Sequence, residues 1–309
     1  MAQHGIHHVT AIAGSAVRNV DFYTRTLGLR LVKKTVNFDD PGTYHLYYGD
    51  ETGQPGTILT FFPWAHVAPG RLGVGDAQET MFRVPEGGIG YWTHRLIEKG
   101  VAHDTVSKRF GDSVLPFKDP DGMRLALVGV AGTESEPGWS AGEIPAQHAI
   151  RGFHSMSLLL NEADPTGAVL TDVLGFDEAE RDGAVTRFKA AGNGIGGIID
   201  IRAAGEFLPA RMGAGSVHHI AFRARSDEAQ AEMVEKLSRN HRLRTTAQID
   251  RSYFRSVYFR EPGGLLFEIA TDDPGFAVDE AAGELGGSLK LPDFLEPRRK
   301  EIKAVLPAL

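Results

Sequence analysis

Cysteine is absent from this chain of 309 residues. Its absence excludes thiolate nucleophiles, disulfides, and zinc or iron–sulfur centres held by cysteine. Any bound metal must therefore be held by His, Asp or Glu. A surplus of positive charge is also lacking. The net charge is −7, which argues against nucleic acid or an anionic membrane as the main partner. No apolar run approaches the length of a membrane span, and the opening MAQHGIHHVT has no apolar signal core. A cytoplasmic location is expected. The composition is otherwise that of a globular protein. Hydrophobic residues make up 42%, enough for a real core, and 37 glycines predict many tight turns.

The chain repeats itself. DPDGMRLALV (119–128) has the form of EPGGLLFEIA (261–270): an acidic residue and proline, a glycine turn, then an apolar strand. Before each lies a strand, a turn and an amphipathic helix, with Trp92 and Leu96 in one and Met233 and Leu237 in the other at helical spacing. The stretches 5–32 and 151–180 match each other as well. Their helices end at Leu27–Gly28 and Leu174–Gly175, and glycine is the expected stop. Four strand–helix–three-strand units follow, starting near 5, 79, 151 and 215. They form two tandem halves, 1–132 and 150–275, joined by a Gly-, Pro-, Ser- and Ala-rich linker over 129–150. The tail 276–309 ends in an amphipathic helix, FLEPRRKEIKAVL, expected to pack on the body or on a partner. The fold class is α+β, with four βαβββ units.

Histidines recur on equivalent strands. Unit 1 opens with His7–His8, unit 4 with His218–His219, and unit 3 carries His154. The closing strand of unit 4 offers Glu268 within LLFEIA, where unit 2 has Ala126. An ionised glutamate among Leu, Phe and Ile costs several kcal/mol unless something pairs with it. A divalent cation would do so, and two neutral imidazoles would complete its site. Two His and one carboxylate with open positions is the set used by non-heme Fe(II) oxygenases. The competing account is an arginine on Glu268 and ordinary strand histidines.

Four such units with this His/His/Glu placement resemble the vicinal oxygen chelate superfamily, which includes glyoxalase I, bleomycin-resistance proteins and ring-cleaving dioxygenases. The stretches HHVTAIAG, KKTVNFDDPGTYHLYYGD, DRSYFRSVYFREPGGLLFEIATDDPGF and LKLPDFLEPRRKEI are similar to hydroquinone-type ring-cleaving dioxygenases. The resemblance implies curved mixed sheets. It places the metal on the second His of each pair, His8 and His219, with Glu268. Strand alternation agrees for His8, which shares a face with Ile6 and Thr10 while His7 faces the other way. The resemblance further implies that His7, Thr10, His218, Arg251 and Tyr258 line the substrate side. For His7 and His218 alternation opposes this unless the strand bends. Arg255 and Tyr253 are equally eligible on composition, and the resemblance selects Arg251 and Tyr258. Phe222, Phe254 and Phe267 are either walls for a flat substrate or plain core.

His154, taken as the unit 3 equivalent of His8, is the rival ligand, with Asp200 as a conceivable companion or else a salt-bridged strand residue. The implied activity is extradiol-type cleavage of a hydroquinone or related dihydroxy aromatic with O2. The cofactor is Fe(II), with Mn(II) the alternative the same ligands allow. A homo-oligomer is expected. Two other readings remain at this point. A glyoxalase-like metal lyase or isomerase needs a fourth ligand, and TILTFF in unit 1 has no carboxylate to supply it. A metal-free binding protein like the bleomycin-resistance proteins usually has a single pair of units.

Overall fold

A computed structural model describes residues 4–140, 142–192 and 194–309. Unit 1 contributes β1 (Ile6–Ala13), β2 (Arg30–Asn37), β3 (Asp40–Gly49) and β4 (Ile58–Pro63). Unit 2 contributes β5 (Asp76–Pro85), β6 (Ser107–Arg109), β7 (Asp112–Lys118) and β8 (Arg124–Val130). Unit 3 contributes β9 (Phe153–Leu160), β10 (Phe176–Asp182), β11 (Val185–Ala190) and β12 (Ile198–Ala203). Unit 4 contributes β13 (Val217–Ala224), β14 (Ile249–Asp250), β15 (Arg255–Arg260) and β16 (Leu266–Thr271). The helices are α1 (Ala16–Asp21), α2 (Ile89–Glu98), α3 (Asp164–Asp172), α4 (Asp227–His241) and α5 (Arg299–Val305).

Within each unit the first strand runs parallel to the fourth, and the other two follow antiparallel. This leaves one edge of every first strand unpaired, which invites another strand. The edges close on each other across the halves. β1 pairs antiparallel with β13, and β5 with β9. Two eight-stranded sheets result, ordered β14-β15-β16-β13-β1-β4-β3-β2 and β10-β11-β12-β9-β5-β8-β7-β6. Unit 1 thus shares a sheet with unit 4, and unit 2 with unit 3.

Local signals end the helices where the sequence places them. Ser15 caps α1 by accepting from the Arg18 N–H, and the chain runs through one π turn, Phe22–Thr26, before turning at Gly28 with φ +69°. The positive φ is what favours glycine there, and a Cβ would in addition push Ile144 Cδ1 of the linker aside, at 2.4 Å. Trp92 and Leu96 of α2, and Met233 and Leu237 of α4, are buried against the sheets. The tail packs on the body: Leu291, Leu295 and Ile302 cluster with Val36 of β2. Lys33, fully buried, is clasped by Asp279 and Glu280 at 2.5 and 2.6 Å. Among the described residues no helix is long and apolar enough to cross a membrane.

Candidate active site

Both histidine pairs sit at irregularities of the β1–β13 ladder. From Ile6 to His8, β1 advances two residues while β13 advances one, from Phe222 to Ala221. From His219 to Val217, β13 advances two while β1 advances one, from Thr10 to Ala11. The extra residues are His7 and His218. A bulge of this kind breaks strict alternation and re-aims side chains. Each extra histidine therefore reaches its neighbour. His7 Nδ1 lies 2.9 Å from His8 Nδ1, and His218 Nδ1 lies 2.7 Å from His219 Nδ1. One nitrogen of each pair carries the shared hydrogen. If His8 and His219 donate it, their Nε2 atoms are left as lone pairs, the form that binds a cation.

Those Nε2 atoms converge on Glu268. They lie 3.4 Å (His8) and 3.0 Å (His219) from Glu268 Oε2. Each of the three residues can place one ligand atom within 4.8 Å of the other two, the only such trio among the described residues. Ser256 Oγ donates to Glu268 Oε1 at 2.5 Å, whereas Oε2, fully buried, accepts no well-formed hydrogen bond. Among the described residues no arginine forms an ion pair with it. Burial alone would raise the Glu268 carboxyl; His8 and His219 carrying hydrogens on Nε2 hold it well below the usual carboxylate range, and where those nitrogens present lone pairs a cation must take over that part. Burial lowers His219 in turn, against the pull of Glu268. An anionic oxygen facing two buried imidazole nitrogens is costly without a cation. The donor set fits one.

His8 and His219 form part of the wall of a cavity of about 350 Å³, large enough for a small aromatic molecule, and the fully buried Glu268 contacts both. Phe38, Phe62, Trp64 and Phe254 supply flat apolar wall. Arg251 and Tyr258 line the same cavity, with Arg251 Nε 3.3 Å from the Tyr258 oxygen. Burial, followed by the Glu268 charge, pushes the Tyr258 phenol up, so it stays protonated. Burial, then its neighbour His219, drives His218 down to about 3, so it is neutral. A larger cavity, about 550 Å³, lies in the second sheet, away from the trio.

The structure brings His8, His219, His218, Arg251 and Tyr258 together around one cavity, with Glu268 clustered against the first two. Two expected wall residues lie behind it instead. His7 is buried beside Phe254, and Thr10 accepts from Thr60 Oγ1 at 2.9 Å inside the sheet. His154 is corrected more sharply. The β5–β9 ladder has its own bulges, at Gln78 and His154. His154 thus corresponds to His7, and Ser155 stands where His8 stands in unit 1. His154 bonds to Ser155 and faces Asp112. Asp200 clasps Arg187 through two hydrogen bonds of 2.7 Å. Arg255 pairs with Asp227, and the Tyr253 hydroxyl donates to Asp279. Phe222 and Phe267 are core.

The sequence reading missed His45 and Tyr47, both on the cavity wall, and Ser256 behind Glu268. The available signal for the first two is their alternate spacing within TYHLYYGD on β3.

Comparison with known proteins gives concordant findings. The family described as the Glyoxalase/Bleomycin resistance protein/Dioxygenase superfamily matches residues 5–127. MhqO of Bacillus subtilis (strain 168), a candidate ring-cleaving dioxygenase, is 45% identical over 303 residues, covering 97% of this chain and 94% of that protein. The chlorohydroquinone/hydroquinone 1,2-dioxygenase of Sphingobium indicum is 33% identical over 305 residues, covering 96% and 94%. The crystal structure of a candidate dioxygenase from Bacillus subtilis superposes with a TM-score of 0.94 at 44% identity, covering 100% and 98%.

Proposed function

Because the chain belongs to the glyoxalase/bleomycin resistance/dioxygenase superfamily, we propose that it is a metal-dependent, extradiol-type ring-cleaving dioxygenase acting on a hydroquinone or related dihydroxy aromatic with O2. The observation that carries this reading is Glu268 Oε2, buried and faced by the nitrogens of two imidazoles that themselves line an aromatic-walled cavity. His8, His219 and Glu268 would hold Fe(II), or Mn(II), through Nε2, Nε2 and Oε2. The metal, when bound, acts as a Lewis acid toward the ring hydroxyl and gathers the two reactants in one place.

The remaining work falls to this chain's own side chains. His7 and His218 fix the orientation and tautomer of the ligand imidazoles through their Nδ1 contacts. With Nδ1 occupied by the His219 hydrogen, neutral His218 has its own hydrogen on Nε2 and serves as a donor. Arg251 places a fixed positive charge beside an ionised substrate oxygen, and the Tyr258 phenol, protonated, donates to it. Phe62, Trp64 and Phe254 align a flat ring and keep water off it. Thr10 acts through Thr60 rather than on the substrate.

The register weighs against a lyase with four protein ligands. Ala221 pairs with Glu268, and the corresponding pair in unit 1 is Thr10 with Thr60. Thr60 therefore occupies the place where a second carboxylate would sit. The test is anaerobic titration with Fe(II) and Mn(II), followed by oxygen uptake on a panel of hydroquinones and catechols. One metal per chain and ring opening are expected, and both should be lost in Glu268→Gln. A protein that binds no stoichiometric metal and consumes no oxygen is a binding module, and the proposal falls.

A further inference from the structure

Tyr47 and His45 have no part in the reading above, yet both line its cavity. Their placement follows from register. Across the sheet, His219 of β13 pairs with Thr10 of β1, Thr10 with Thr60 of β4, and Thr60 with Tyr47 of β3. These four residues form one row. Tyr258 is on β15 and Tyr47 on β3, each the second strand from an opposite edge of the same curled sheet. The two phenols therefore stand on opposite arms of the cavity.

The hydrogen-bond chain behind Tyr47 sets what it offers. Thr60 Oγ1 donates to Thr10 Oγ1 at 2.9 Å. Its single hydrogen is then used, so at the 2.8 Å contact between His45 Nε2 and Thr60 Oγ1 the histidine must donate. That leaves His45 Nδ1 as an acceptor, and the Tyr47 hydroxyl, 2.8 Å away, donates to it. The Tyr47 hydrogen is committed to His45, and its oxygen keeps a free lone pair. The β15 side presents donors, Arg251 and Tyr258, suited to an ionised oxygen. The β3 side presents an acceptor, suited to a hydroxyl that keeps its hydrogen. Asp39, another acceptor at the mouth, is largely exposed and paired with Arg251.

We propose that Tyr47, oriented by His45, accepts a hydrogen bond from a substrate hydroxyl other than the one that meets Arg251 and Tyr258, and so favours dihydroxybenzenes over their monohydroxy and methoxy analogues; this rests on the ring-cleaving reading of the same cavity. The experiment is anaerobic titration of the iron-loaded protein with hydroquinone, 4-methoxyphenol and phenol. One neutral hydrogen bond corresponds to roughly two- to tenfold in Kd. The wild type should bind hydroquinone tighter than both other ligands by about that factor. Tyr47→Phe, which keeps the ring packing, should erase both differences without changing the Kd for phenol. His45→Leu frees the Tyr47 hydrogen to turn toward the cavity. It should close the gap to 4-methoxyphenol while preserving the gap to phenol, a pattern that loss of packing alone does not produce. Equal binding of hydroquinone and 4-methoxyphenol by the wild type, or a preference that survives Tyr47→Phe, overturns the proposal. Oxygen uptake by the wild type is read separately. A binding preference without ring opening sinks the enzymatic reading and leaves this one standing.

Discussion

Ser256→Ala isolates the support behind Glu268. The serine hydroxyl is the one well-formed partner of Oε1, at 2.5 Å, and both residues are fully buried. A hydrogen bond to a charged group contributes about 1.5–3 kcal/mol. The alanine variant leaves a buried carboxylate oxygen without a donor, and the lost hydroxyl opens too little room for water to take its place. The metal-free protein should lose about 1.5–3 kcal/mol. At about 2 °C per kcal/mol for a large domain, the Tm should fall by roughly 3–6 °C. The carboxylate should also become a looser ligand, and loss of an outer contact to a metal ligand costs about 10- to 100-fold in metal affinity. The assay is Mn(II) competition against a chelator, run beside thermal unfolding of the metal-free protein. Ser256→Thr, which keeps the hydroxyl, should recover most of both. If metal affinity stays within about threefold of wild type while stability falls by the stated amount, Ser256 supports only the fold and does not tune Glu268 as a ligand.

Arg251→Gln should lower kcat/KM by about 10- to 100-fold, the equivalent of one charge-assisted hydrogen bond. Steady-state kinetics on a hydroquinone check it, and an unchanged value would leave Arg251 as a partner of Asp39 alone. Asp76 is pushed up to about 7 by burial, from an ordinary 3.8. Its folded form prefers the proton, so its cost is absent below about pH 4, grows between pH 4 and 7, and is complete above that. Asp76→Asn should therefore add a few kcal/mol of stability at pH 8 and little at pH 4; denaturant melts at both pH values decide, and an equal gain at both refutes the assignment. Ile302→Ala, which empties the contact between the tail and β2, should cost about 2–5 kcal/mol. Metal affinity should not change, since the tail cluster of Val36, Leu291, Leu295 and Ile302 includes none of the proposed ligands.

Much of this protein is legible in its sequence, because the relevant signals are local or repeated. Helix stops at Gly28 and Gly175, alternating strands and matched acidic-Pro-Gly turns each arise from a few neighbouring residues, and four copies make the pattern visible. Glu268 stands out for a reason that needs no neighbours: a charge in an apolar strand requires a partner. The identity of the partners is a different matter. His7 and His154 look like candidates because they are histidines on first strands, but their roles depend on bulges. A bulge is a property of two strands together, here β1 with β13 and β5 with β9, each pair joined across the two halves of the chain. No window of sequence records which residue of GIHHV or GFHSM is the inserted one. The same holds for Thr10, withdrawn behind Thr60, and for Tyr47, carried to the cavity by the curl of a sheet whose strands come from both ends of the chain. Residue chemistry and periodicity are written along the chain and can be read there. Register and curvature are settled only when distant strands exchange hydrogen bonds, and they decide which of the eligible side chains share a cavity.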